Sequence, residues 1–324
     1  MNSNKISFSE NEQLNINKYK YFKLNGNRRY KLTIYILFLF FILIIIFIIK
    51  INKKNDLNLK EQLIAKLNLM ENNLNNIIEN TLQYKKNNNI YNILCSMSVV
   101  GHKKIRIGRK ADGGYIFLND LKNIKIAYSF GISKEISFDK ELADKNIDVY
   151  MYDHTIKSLP FENSRFHWKK IGLSGKISNK TYLKTLPELL KENGHTKEND
   201  LILKIDIESH EWDVFQNLQI KILNKFKYIV GEFHFSERKK YDYFKILQKL
   251  QITHQIFHLH CNNCGKIIEL DGYKICNLLE ISFIIKNGYY FFKDNNKFPI
   301  EKLDYKNCKK KREISDILNL FNYF

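Results

Sequence analysis

Ile124 to Ile132 reads Ile-Lys-Ile-Ala-Tyr-Ser-Phe-Gly-Ile, an apolar run that stops at Gly131. Twenty-two residues beyond that glycine, Asp153 closes a second run, Ile147 to Tyr152 (IDVYMY), and the stretch Glu135 to Lys145 between them has helical character. The spacing is that of a strand, a crossover helix and a parallel strand. A glycine at the end of the first strand permits a tight turn and a close backbone approach to a ligand. A carboxylate ending the second can accept hydrogen bonds from both hydroxyls of a ribose. Gly131 and Asp153 are therefore candidate nucleoside-binding positions. No G-x-G-x-x-G accompanies them, and an Asp after a strand also serves as a turn or helix cap.

The same alternation continues outward. Lys104 to Gly108 and Asp112 to Phe117 read as a hairpin flanking a glycine-rich turn, and His167 to Leu173 as a third strand. Thr181 to Asn193 reads as a helix closed by Gly194. Strands follow at Leu201–Ile207 (LILKIDI), Tyr228–Phe235 (YIVGEFHF), Gln255–His260 (QIFHLH) and Leu278–Ile285 (LLEISFII), with helices at Glu211–Leu218 and Arg238–Leu250. The expectation is one α/β domain over 91–324, a Rossmann-like, doubly wound, mostly parallel sheet. Ligands of such sheets bind beyond the carboxyl ends of the strands.

Polar residues gather at those ends. Lys204, Asp206 and Glu208 share one side of their strand by period-two alternation. Glu232 and His234 repeat the arrangement on the next strand, and His258, His260 and Asn262 on the one after. Burying so many ionisable groups without partners is unfavourable, so their convergence suggests a site. Taken singly, each also reads as an ion pair or a cap, and for Lys204 that is the better reading.

Before residue 91 the chain is of another kind. Leu32 to Ile49 (LTIYILFLFFILIIIFII) holds eighteen residues without a charge, bounded by Lys31 and Lys50. As a helix it spans about 27 Å, enough for a bilayer core. No small-residue cleavage site follows, so a retained anchor is expected rather than a signal peptide. Six basic residues lie in the fifteen before Leu32 and four in the fifteen after Ile49. That bias favours a cytosolic tail (1–31) and a type II topology, with the rest luminal in the Golgi or another endomembrane. The glycosylation triplet Asn179-Lys180-Thr181 fits this placement. Leu63, Leu67, Met70, Leu74, Ile77 and Tyr84 form an a/d seam in a helical stalk over 50–90, consistent with a coiled-coil homodimer or with one amphipathic helix packed on its own domain.

The formal charge of +19 divides as +5 over 1–31, +3 over 50–90 and +11 over the remainder. It is spread rather than striped; only Lys309-Lys310-Lys311-Arg312 resembles a patch, so no nucleic-acid partner is expected. With 44% hydrophobic residues the chain is not a disordered tail, and one apolar span excludes a polytopic transporter. Five cysteines stand at 95, 261, 264, 276 and 308. Cys261 and Cys264 have zinc-knuckle spacing, but no second pair follows, and a site would need His258 or His260 with Cys276. In a luminal domain one or two disulfides form instead, leaving at least one thiol over.

Read in order, these segments resemble the FkbM-like, methyltransferase-21-type domain, in its branch of membrane-anchored methyltransferase-like proteins. The resemblance rests on Arg106-Ile107-Gly108-Arg109 with Asp112-Gly113-Gly114-Tyr115, on Tyr128-Ser129-Phe130-Gly131-Ile132, and on Ser137-Phe138-Asp139. It continues through Ile171-Gly172-Leu173-Ser174-Gly175, Thr185 to Leu190, Leu203 to Glu208 with Glu211-Trp212, Glu232-Phe233-His234, and His260 with Asn262-Asn263-Cys264. It implies a class I methyltransferase fold and S-adenosyl-L-methionine as cofactor, near Ser129, Phe130 and Gly131, with Asp153 at the ribose. The family prefers Pro where this chain has His154 and Gly where it has Ser209. Methyl transfer needs a nucleophile held in line with the methyl group, and a hydroxyl acceptor needs a base. Asp206 and Glu208 are expected to position cofactor and acceptor, with His234 or His260 as base and Glu208 among the catalytic groups. No metal is assigned; an ion on Asp206, Glu208 and His234 is the weaker variant. The rival readings are a type II glycosyltransferase, for which no compact Asp-x-Asp stands at a strand end, and a non-catalytic scaffold.

Overall fold

The computed structural model describes residues 65–73, 89–238 and 241–315. The chain divides into two units, Met1–Leu82 and Gln83–Phe324. In the first, residues 65–73 are helical, with Leu69 and Met70 exposed. The basic tail 1–31, the apolar span 32–49 and the seam positions Leu63, Leu74, Ile77 and Tyr84 lie outside the described residues. Among the described residues no helix is long and apolar enough to cross a membrane.

The second unit begins with α1 (Ile90–Ile93), β1 (Met97–Val99), β2 (Lys104–Ile107), β3 (Tyr115–Leu118), β4 (Ile126–Phe130), α2 (Ser137–Asp144), β5 (Asp148–Tyr152), β6 (Phe166–Lys169), β7 (Gly172–Leu173) and β8 (Leu183–Lys184). It continues with α3 (Leu186–Glu192), β9 (Leu201–Ile205), α4 (Glu211–Asn217), α5 (Ile220–Leu223), β10 (Phe226–His234), α6 (Tyr243–Leu250) and β11 (His254–Cys261). The last elements are β12 (Ile267–Leu270), β13 (Tyr273–Cys276), β14 (Leu278–Ile285) and β15 (Phe291–Lys293).

Seven strands form the central sheet in the order β11-β14-β10-β9-β4-β5-β6. β4, β5, β6, β9 and β10 pair in parallel; β14 lies antiparallel between β10 and β11. The chain runs outward from β4 through β5 to β6 and then returns to β9, so the order reverses between β4 and β9. Ligand crevices of open α/β sheets form at such a reversal. Alternation explains why the sheet sits between two cores. Tyr128, Phe130, Leu203 and Ile205 join one apolar cluster with Trp212, Phe215 and Leu247, whereas Ala127, Val149, Ile202 and Val230 join another with Phe117, Phe138 and Leu142. β9 is buried along its whole length, which is why its sequence reads as a continuous apolar run.

The strand expected over Leu201–Ile207 ends at Ile205, which leaves Glu208 in the following loop and outside the strand's alternation. Three other expected elements differ in extent. The run His167–Leu173 is broken after Lys169: β6 stays in the main sheet while β7 leaves it to pair with β8. The helix expected from Thr181 starts at Leu186, because Thr185 and Glu188 form a reciprocal capping box and Pro187 lies in the first turn. The helix expected from Arg238 starts at Tyr243, where the Asp242 side chain accepts from the backbone N–H of Lys245. The hairpin β12–β13 turns through Asp271 and Gly272, both at positive φ.

Candidate functional site

The sheet registers place one row across the carboxyl edge. Phe130 pairs with Tyr152 and with Ile205, and Ile205 with Gly231. One residue further on stand Asp153, Gly131, Asp206 and Glu232; Glu232 faces Glu280, and Glu280 faces His260. The row lies at the reversal of strand order and on the face that carries Lys204.

Gly131 has φ +76°, and a Cβ there would lie 1.6 Å from the Asp206 carbonyl oxygen, so the ends of β4 and β9 approach too closely for any side chain. The Lys204 ammonium draws the same two ends together by donating to the carbonyls of Phe130 (3.1 Å) and Gly131 (2.6 Å). Ser129 is buried against α2, and Phe130 is buried on the opposite face, stacked on Tyr152. Both therefore offer the site backbone rather than side chain.

Asp153 is buried, facing the β4 loop. Its Oδ2 accepts from the N–H groups of Ile132 (3.0 Å) and Ser133 (2.9 Å), and its Oδ1 from Thr155 N–H (2.8 Å) and Oγ1 (2.6 Å). Although burial opposes ionisation, these bonds hold its pKa below the usual carboxylate value. Four donors fill the acceptor sites of one carboxylate. Asp153 thus fixes the loop that carries Gly131, and a ribose diol would compete with Thr155 for it.

Asp206 is different: among the described residues no hydrogen-bond donor to its carboxylate is found, and burial raises its pKa to about 7 against the pull of Lys204. Next to it, Glu232 and His234 project from β10. Single donor atoms of Asp206, Glu232 and His234 all lie within 4.8 Å of one another. Imidazole Nε2 of His234 stands 3.2 Å from Glu232 Oε1 and 3.5 Å from Glu208 Oε2. Its Nδ1 contacts Glu211 Oε1 at 3.0 Å, and the same oxygen accepts the His234 backbone N–H at 2.7 Å. Trp212 Nε1 donates to the His234 carbonyl at 2.6 Å. Two consecutive residues at the start of α4 therefore clamp one histidine by its backbone and its ring. Burial disfavours the imidazolium, but Glu211 and Glu232 outweigh it and hold the pKa up at about 11.

His260 is more deeply buried and contacts Glu280 Oε2 at 2.8 Å; burial is again outweighed, mainly by Glu280, and its pKa rises to about 10. Asn307 donates to Glu280, Asp304 holds His258, and Glu313 approaches His260, so the C-terminal segment covers this end of the row. Cys264 and Cys308 form a disulfide that ties the segment down, and Cys261–Cys276 form a second; Cys95 is free. The knuckle cysteines are therefore joined to other cysteines rather than to zinc.

Glu208 and Ser209 sit at positive φ (55° and 76°) in the loop after β9, which accounts for a glycine preference at the second position. The Glu208 side chain is 89% exposed at the mouth of the site. The sequence brought Asp206, Glu208 and His234 into view; it placed Glu211 and Tyr115 only within the motifs of the resemblance and gave neither a role. Tyr115 lies buried beneath the row, with Lys204 Nζ 5.8 Å from its ring centre, and burial followed by Asp206 and Glu280 pushes its pKa well up. Its place after the Asp112-Gly113-Gly114 turn was the available signal.

The pattern of the methyltransferase FkbM domain matches residues 82–268, more than half of the chain. No curated protein matches. Among solved structures, precorrin-6y C5,15-methyltransferase from Geobacter metallireducens is similar over 52% of this chain and 84% of its own, at 13% identity and a TM-score of 0.25, values that carry no argument. By the extent of the domain match, the chain belongs to the FkbM methyltransferase family.

Proposed function

We propose that the protein is an S-adenosylmethionine-dependent methyltransferase that methylates a hydroxyl oxygen in the crevice between Gly131 and His234. The observation that carries this reading is Asp206, a carboxylate at the reversal of strand order with no hydrogen-bond donor among the described residues. An acidic floor of this kind fits a ligand that brings positive charge. When bound, S-adenosylmethionine supplies an electrophilic methyl group on a cationic sulfur. The backbone of Ser129 to Gly131 and the Asp206 carboxylate would hold it, with Asp153 keeping the loop rigid.

His234 and His260 are held as imidazolium by their carboxylate partners, so neither is free to accept a proton near neutral pH. We assign that role to Glu208, exposed at the mouth and 3.5 Å from His234 Nε2. A positioned base of this kind contributes about 10²–10⁴-fold. His234, clamped by Glu211 and Trp212, positions Glu208 and Glu232.

The same reading makes the protein a single-pass type II membrane protein anchored by 32–49, with the enzymatic unit luminal and the stalk pairing two copies. Two disulfides support an oxidising compartment. The test is transfer of labelled methyl from S-adenosylmethionine to glycan, lipid and peptide hydroxyls by the full-length protein in detergent. Turnover that falls at least 100-fold in Glu208→Gln, with cofactor binding retained, is expected. Turnover unchanged in that variant removes the base assignment; no transfer to any acceptor class, with cofactor bound, favours a scaffold.

A further inference from the structure

We propose that Asp206, Glu232 and His234 bind a divalent cation. The three side chains come from the ends of two adjacent strands, and one donor atom of each lies within 4.8 Å of the others. An ion held at about 2.0–2.2 Å by carboxylate oxygen and imidazole nitrogen needs its ligands about 3 Å apart when they share one side of it, a distance small side-chain rotations reach.

The surroundings are what distinguish this cluster from a set of acidic side chains. A ligating histidine has its outer ring nitrogen fixed by a carboxylate or carbonyl so that the inner nitrogen faces the ion. Here Glu211, fully buried, takes Nδ1 at 3.0 Å and leaves Nε2 directed at Glu232, 3.2 Å away. Glu232 is oriented in the same manner: Asn262 donates to its Oε2, leaving Oε1 toward His234. Both β10 ligands thus have a dedicated partner on the far side, and their inner atoms converge beside Asp206.

Charge gives a second, independent argument. Asp206, Glu208, Glu211 and Glu232 surround one histidine, and Glu211 Oε2 is buried without a partner. Lys204, the nearest ammonium, is committed to the carbonyls of Phe130 and Gly131. Four carboxylates against one imidazolium and one ammonium leave net negative charge here, and a doubly charged ion that takes the place of the His234 Nε2 proton offsets it. Two carboxylates and one imidazole, a set that leaves coordination positions for water or substrate oxygen, suit manganese(II) or magnesium among common ions.

The role of the ion, though not its binding, rests on the methyl-transfer reading. With the ion held by Asp206, Glu232 and His234, it would supply a Lewis acid that lowers the pKa of an acceptor hydroxyl, and Glu208 would receive the proton. The oxygen–hydrogen bond would break to the carboxylate as the oxygen–carbon bond forms, the methyl–sulfur bond breaks and S-adenosylhomocysteine leaves with the electron pair on its sulfur.

The experiment is titration of the full-length, chelator-stripped protein in detergent with Mn²⁺ alone, followed by electron paramagnetic resonance of the free ion. One ion per chain is expected, weakened at least 10-fold in Glu232→Gln and Asp206→Asn and about 10–100-fold in Glu211→Gln, the outer partner. Glu208→Gln is expected to bind as wild type, and circular dichroism melting shows whether each variant is folded. Absence of binding by the wild type, or binding that folded Glu232→Gln and Asp206→Asn retain in full, overturns the proposal and leaves a carboxylate–imidazolium network. Mn²⁺ bound without any S-adenosylmethionine binding supports the ion site while removing the methyltransferase reading. S-adenosylmethionine bound and turned over with no Mn²⁺ or Mg²⁺ binding does the reverse.

Discussion

At the scale of single residues, the site depends on a few positions with one tolerated side chain. Gly131 combines φ +76° with a Cβ position 1.6 Å from the Asp206 carbonyl, so Gly131→Ala must separate β4 from β9. The backbone penalty alone is about 1–2 kcal/mol; a larger loss of stability in urea unfolding is expected, because the clash adds to it. Ser209 presents the opposite case. Its φ of +76° is strained for serine, so Ser209→Gly is expected to stabilise the protein, by up to about 1 kcal/mol on the same measurement. Glu211→Gln keeps the shape of the buried partner but removes its charge, so the His234 pKa should fall toward 6.5, read by the ring-proton shifts in a nuclear magnetic resonance titration. These residues differ in how far sequence could reveal them. Asp206 and His234 stand at strand ends, where alternation assigns them a face. Glu211 opens a helix in another segment, and only folding brings it 3.0 Å from His234 Nδ1.

Elements were legible where a strand is buried on both faces or ends in a polar residue, as β4, β5, β9, β10, β11 and β14 do. Boundaries failed where capping overrode apolar pattern. Residues 181–184 look helical by composition, yet Thr185 and Glu188 cap α3 later, and the T-x-x-E signal was there to be read. Thr185→Ala should cost about 1 kcal/mol by denaturant unfolding. The β12–β13 hairpin was not read from the sequence either, although Asp271-Gly272 stands between its alternating residues. At the start of β11, His254 is fully buried between Thr253 Oγ1 and the Phe226 carbonyl, and burial lowers its pKa to about 4. The unfolded chain binds a proton at this residue near pH 6.5 and the folded one does not. Stability should therefore fall as pH drops from 6.5 to 4, by about 3 kcal/mol in all. His260 acts in the other direction: its pKa of about 10 makes its contribution complete below pH 6.5 and lost as pH rises toward 10. A fit of unfolding free energy against pH should show both limbs, the acid one flattened in His254→Gln.

The whole molecule shows why the candidate site lies where it does. The sheet order reverses between β4 and β9, and the residues just past those strands are Gly131 and Asp206. Strand order was not readable from the sequence, because it depends on contacts between distant segments; the alternation of strands and helices was. The insertion of β14 between β10 and β11 brings Glu280 between Glu232 and His260, a neighbour relation that no local pattern contains. Disulfide pairing was likewise hidden, since Cys264 meets Cys308 across 44 residues. Opening that loop closure should cost about 3–4 kcal/mol. Alkylation of the unreduced, denatured protein should label Cys95 alone, and labelling of the other four would place the domain in a reducing compartment.

The central claim is that this crevice holds S-adenosylmethionine, and equilibrium dialysis of the labelled cofactor against the full-length protein in detergent, with chelator present, tests it most directly. Saturable binding of one molecule per chain in the micromolar range, abolished by Gly131→Ala, is predicted. No saturable binding up to about millimolar cofactor would contradict it.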